Sequence, residues 1–131
     1  MKKLQLVLLA GLLLVGMFVQ PVSAQRVEDA TPAQVYEFMQ KNTGKYLVLD
    51  VRSLQEFSEG HIEGAEFFPV SASGFTTAVQ RLPKDITYIV YCRSGNRSQT
   101  AKQVMQEAGL SLLHLDGGIR AWKQAGYPVK K

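Results

Sequence analysis

Hydrophobic positions along the chain fall into two alternating rhythms, and the elements can be read from the alternation. Val35, Phe38 and Met39 recur at helical spacing behind Thr31-Pro32-Ala33-Gln34, a capping box with proline at the first helical position. Residues 32–41 therefore read as an amphipathic helix ended by Asn42 and Gly44. Tyr46 to Val51 is an apolar run interrupted only by Asp50, the mark of a strand covered on both faces. Ser53 and Glu56 stand at capping-box spacing at the head of a short helix that Gly60 stops. Residues 61–65 read as a turn, and 66–70 as a short strand ending near Pro69. Phe75, Val79 and Leu82 share one face of a helix over 75–82, ended by Pro83. Residues 86–91 form a β-branched apolar run, a strand, and 98–108 a helix burying Ala101, Val104, Met105 and Ala108. A strand over 112–115, a helix over 118–125 with Trp122, and the closing Gly126-Tyr127-Pro128 complete the chain. Gln25 to Ala30 reads as a short polar lead-in.

Helices and strands that alternate throughout predict an α/β fold: one domain, a mostly parallel central sheet and helices on both faces. Such sheets bind ligands outside the carboxyl ends of their strands, where the loop after residues 86–91 lies. The first 24 residues stand apart. Lys2 and Lys3, the 14-residue apolar run Leu6 to Val19, and Val22-Ser23-Ala24 make the three parts of a secretory signal peptide. The run is short for a membrane span, which needs about 20 residues. The expectation is therefore residues 1–24 cleaved, residues 25–131 as the domain, a periplasmic location and no stable membrane association afterwards. Loss of residues 1–24 takes Lys2 and Lys3 and lowers the formal charge from +4 to +2. The remaining basic residues are scattered, which gives no nucleic-acid surface. Beyond two loop arginines no strongly cationic rim is visible, which favours a small anion over a large polyanion.

The chemistry gathers at Cys92, the only cysteine. It closes the strand over 86–91 and opens the polar loop Arg93-Ser94-Gly95-Asn96-Arg97. A lone thiol forms no internal disulfide, and in an oxidising compartment it is a reactive group or an intermolecular partner. With His61 and His114 the only histidines, no zinc site is expected. The thiolate is the nucleophile, and a free thiol with a pKa of about 8.5 is scarcely ionised at neutral pH. Loop amides, the N-terminus of the next helix and two arginines would each lower that value. A depression of roughly two units, about 2.7 kcal/mol, would ionise most of the thiol. The same groups would hold an anionic substrate beside the sulfur.

The loop Cys92-Arg93-Ser94-Gly95-Asn96-Arg97-Ser98, with four residues between Cys92 and Arg97, resembles the active-site loop of the rhodanese (thiosulfate sulfurtransferase) family. Phosphatases on the same fold carry one residue more. The likeness continues through Leu49-Asp50-Val51-Arg52, Glu56-Phe57 with Gly60 to Ala65, and Asp116-Gly117-Gly118 with Trp122, and covers residues 28–129. A single exported domain of this length looks like the small periplasmic thiosulfate sulfurtransferases of the phage-shock type. The resemblance implies that Cys92 becomes a persulfide, taking sulfur from thiosulfate and giving it to cyanide, a small thiol or a thiol protein. It implies no cofactor, and a monomer is expected. Arg97 corresponds to an arginine expected to grip the anion with both arms, and Arg93 is a second candidate. Ser94, Gly95 and Asn96 line the cradle, with Gly95 allowing a backbone conformation other residues resist. Ser98 is expected to cap the helix, and Asp50 and Arg52 to brace neighbouring loops. His61 is expected in a structural hydrogen bond, and His114 receives no role. A sulfur carrier or redox partner, a binding module, and a cysteine-dependent phosphatase or arsenate reductase stay open as alternatives.

Overall fold

The computed structural model describes residues 24–131, so the predicted signal peptide, apart from Ala24, lies outside the described residues. The elements are β1 (Val27–Ala30), α1 (Pro32–Lys41), β2 (Tyr46–Asp50), α2 (Leu54–Glu59), β3 (His61–Ile62) and β4 (Glu66–Phe67). There follow α3 (Phe75–Gln80), β5 (Thr87–Tyr91), α4 (Arg97–Glu107), β6 (Ser111–Leu115), α5 (Gly118–Gln124) and β7 (Val129–Lys130). Five strands form one sheet in the order β1-β6-β5-β2-β4, every neighbouring pair parallel. The α/β fold and parallel sheet expected from the alternation are present.

Period-two alternation sorts each central strand between two cores. Val48, Ile89, Tyr91, Leu113 and Leu115 face one way, onto Val35 of α1 and Ile119 and Trp122 of α5. Leu49, Tyr88, Val90 and Leu112 face the other, onto Phe75 and Val79 of α3 and Ala101 and Met105 of α4. Cys92 continues the second series, so its side chain turns toward α4. Both predicted capping boxes form, Thr31 with Gln34 and Ser53 with Glu56.

Three expectations are corrected. The polar lead-in is a strand: Val27 to Ala30 pairs in register with Leu112 to Leu115 and forms one sheet edge. Its two acids fit because an edge strand keeps much of its surface in water. The turn at 61–65 contains β3, which pairs antiparallel with β7, His61 opposite Lys130. The strand expected over 66–70 stops at Phe67, and beyond it Phe68 and Val70 donate amides to Asp50 O and Val51 O in a loop.

Candidate active site

The loop after β5 wraps the Cys92 sulfur. The Gly95 amide donates to Sγ at 3.1 Å and the Ser98 hydroxyl at 3.2 Å, and Cys92 is 1% exposed. Burial alone pushes the thiol pKa up. The Ser98 hydroxyl, then the amides of Ser98, Gly95 and Ser94, outweigh it, and the net direction is down. Gly95 reaches this position at φ +108°, a backbone that side chains resist.

The loop is clamped at both ends. At its start, the α5 amides of Ile119 and Arg120 donate to the carbonyls of Cys92 and Arg93 at 2.9 and 3.1 Å. Gly118 allows that approach, since a Cβ there would stand 2.5 Å from Arg93 O. At its end, Arg97 sends both Nη atoms to the Glu56 carboxylate at 2.7 and 2.8 Å, tying the loop to α2. The fork expected to grip the anion is therefore occupied by Glu56. This pair holds the Glu56 pKa down to about 2, Arg97 being the largest cause. A depressed carboxylate stabilises the fold above its unfolded pKa of about 4.3 and loses that contribution as pH falls toward 2. The thermal midpoint of the native chain should accordingly exceed that of Glu56→Gln at pH 6. The gap should narrow steadily as pH falls from 4.5 toward 2, and a gap at pH 2 as wide as at pH 6 would refute the ionic brace.

Ser94, Asn96 and Arg93 are exposed on the loop. Arg93 borders an open cleft of about 500 Å³, together with Arg120 and Lys123 of α5 and Glu56 and Glu59 of α2. Among the described residues none of these three cations sits in an ion pair, so the rim is more cationic than the sequence led us to expect. Arg120 and Lys123 sit three apart on α5, a spacing that puts both on one helical face, and this was the signal available in the sequence.

Behind the loop, Asp50 and Arg52 do brace. Arg52 Nη2 bonds Asp50 Oδ2 at 2.7 Å and Gly60 O at 2.6 Å, and the Tyr91 hydroxyl donates to the same Oδ2 at 2.7 Å. Burial, then the Asp50 carboxylate, holds the Tyr91 pKa well above its ordinary value. His61 Nδ1 donates to Phe57 O at 3.0 Å with its ring stacked on Phe57. Ser98 is not the helix cap. Asn96 precedes α4, and Ser98, fully buried, spends its hydroxyl on Cys92 and on His114 Nε2 at 2.6 Å.

Residues 31–125 match the rhodanese-like domain family. The chain belongs to that family. It is 34% identical over 106 residues to the probable adenylyltransferase/sulfurtransferase MoeZ of Mycobacterium tuberculosis, covering 80% of this chain but 27% of that protein. This rhodanese-like chain is 35% identical over 89 residues to a sulfurtransferase of Allochromatium vinosum, covering 67% of it and 81% of the relative. A rhodanese-related protein of Thermoplasma volcanium superposes with a TM-score of 0.69 at 33% identity, covering 79% of this chain and 97% of that one.

Proposed function

We propose that this rhodanese-like protein is a thiosulfate sulfurtransferase of the small, exported phage-shock type. The observation that carries the reading is the buried Cys92 sulfur ringed by donors, with Gly95 N at 3.1 Å and Ser98 Oγ at 3.2 Å. Cys92 thiolate attacks the outer sulfur of thiosulfate, the S–S bond breaks, and sulfite leaves with the bonding pair. The enzyme keeps a persulfide, RSS⁻. Cyanide or a thiolate then attacks the outer sulfur and returns Cys92 to RS⁻, so the cycle balances without a cofactor. One negative charge stays in the cradle throughout, which is why fixed donors suit both halves. The amides of Ser94, Gly95 and Ser98 with the Ser98 hydroxyl hold that charge, Arg93 with Arg120 and Lys123 draws the dianion into the cleft, and Arg97 keeps the loop closed. A sulfur this enclosed admits the slender end of a small anion and excludes a bulky ester. The signal-like first 24 residues support export to the periplasm, and the size supports a monomer.

The test is the intact mass of the purified protein before and after thiosulfate, with Cys92→Ser alongside. One sulfur gained by the native chain alone, removed by cyanide with release of thiocyanate, is the expected result. Hydrolysis of an aryl phosphate with no sulfur gained would move the assignment to a phosphatase. Neither activity would leave a carrier or binding role. The same mass fixes the N-terminus and checks cleavage after Ala24.

A further inference from the structure

Cys92 is one end of a chain of hydrogen bonds that runs along the α4 face of the sheet to its edge, buried at Ser98 and His114 and half-exposed at Asp29. Ser98 Oγ lies 3.2 Å from Cys92 Sγ and 2.6 Å from His114 Nε2, and His114 Nδ1 lies 2.9 Å from Asp29 Oδ1. Sheet register builds it. Val90, two residues before Cys92 and on its face, stands opposite His114 on β6, and Asp29 on β1 stands opposite His114 from the other side. α4 crosses that face and sets Ser98 between ring and sulfur. Lys102, one turn further along α4, bonds Asp29 at 3.0 Å. Lys102 first, and His114 after it, hold the Asp29 carboxyl below its usual range. The charged and titratable groups facing the ring are thus Asp29 from β1, Lys102 from α4 through Asp29, and Cys92 through Ser98.

Counting protons shows what this chain can do. A carboxylate only accepts, so Nδ1 carries a proton for Asp29, and Nε2 is bare in the neutral ring. Ser98 has one hydroxyl proton and two neighbours. With a thiol, S–H donates to Oγ while Oγ–H donates to Nε2. With a thiolate, Oγ–H turns to sulfur, and Nε2 must itself carry a proton to fill the gap to Oγ. The two fully bonded arrangements hold the same protons and differ by one shift in each of two bonds. Thiolate beside a neutral ring leaves one acceptor without a donor, and that is costly at a ring 1% exposed.

We propose that Ser98, His114 and Asp29 form a proton relay that ionises Cys92: the sulfur's proton passes to Ser98 Oγ as the Ser98 proton passes to His114 Nε2, leaving thiolate and imidazolium. Ser98 touches the reacting sulfur and is catalytic. His114 and Asp29 act through it and are positioning residues. The relay rests on the sulfurtransferase reading only in taking Cys92 as the nucleophile. The imidazolium is kept in the interior by Asp29 on one side and, through Ser98, by the thiolate on the other.

The test is the pH profile of Cys92 alkylation by iodoacetamide in the full chain, which reports thiolate directly. His114→Gln keeps polar atoms and cannot become a cation; Asp29→Asn removes the counter-charge at the half-exposed edge and spares the core. Each should slow alkylation at pH 6 about tenfold, an upward shift of about one unit in the sulfur's midpoint. All three proteins should converge at pH 10. Adding His114→Gln to Ser98→Ala should change nothing further, because the bridge is already cut. In the native protein, nitrogen NMR should read Nε2 as protonated while Cys92 is a thiolate and as bare once the sulfur is alkylated. Folded variants whose profiles overlay the native one would overturn the relay and leave His114 as core filling. Alkylation needs no thiosulfate, so the expected profile in a protein that gains no sulfur would uphold the relay while sinking the sulfurtransferase assignment.

Discussion

Replacing Gly118 by alanine is expected to lower sulfur transfer about a hundredfold and to destabilise the fold. A Cβ at this position would lie 2.5 Å from Arg93 O and 2.6 Å from Cys92 O. Both obstacles are backbone, so no side-chain rotation relieves them. The residue also sits at φ +61°, where alanine is strained even in open space. The chain must move α5 away from the loop. Motion of even a few tenths of an ångström lengthens the bonds from Ile119 and Arg120 to the Cys92 and Arg93 carbonyls. Those bonds set where the loop leaves β5, and with it the direction of the Gly95 and Ser98 donors. A displacement of about 1 Å in a reacting group can cost a hundredfold in rate. Steady-state rates with thiosulfate and a thermal midpoint, taken together, check this. Native rate and native midpoint in Gly118→Ala would show that α5 does not position the loop.

The cradle around Cys92 was legible in the sequence because its signals are local. A strand ending at the only cysteine, a glycine-containing loop and a helix are consecutive, and consecutive residues carry their own geometry. Even there, reading Ser98 as a cap failed by two residues. α4 starts at Arg97, and the serine points inward. The relay was out of reach for a different reason. Asp29 and His114 are 85 residues apart and meet only because β1 and β6 align in register. Val27 to Ala30 carries two acids in four residues, so nothing in its polarity announces a strand. Its pairing comes from a partner distant in sequence. His114 between Leu113 and Leu115 was visible as an alternating position, yet alternation says which face a residue takes and not what waits there. The Arg97–Glu56 fork is equally non-local, joining α4 to α2 across 41 positions.

The buried pair behind the loop supports the second large prediction. Arg52→Met should cost about 3–5 kcal/mol, because it strands the Asp50 carboxylate, which is fully buried, without its cation. For a domain whose whole stability is of order 5–15 kcal/mol, that is a large fraction of the margin. Adding Asp50→Asn to Arg52→Met should restore part of the loss. Asparagine removes the uncompensated charge and keeps one acceptor: its Oδ1 can take the main-chain amide of residue 52, while its Nδ2 meets the Tyr91 hydroxyl, whose oxygen can accept. A second substitution that raises stability is an unusual sign, and urea midpoints of the two variants read it directly. Equal midpoints would mean that the lost packing of Arg52 against Tyr91, and its bond to Gly60 O, account for the cost and the charge does not. The effect should reach the active site as well, since Tyr91 is the residue before Cys92 and its carbonyl accepts from Val51 N at 3.0 Å. Asp50, Arg52 and Tyr91 thus hold the last residue of β5 from below while α5 holds the loop from the side. The sulfur lies where the two supports meet.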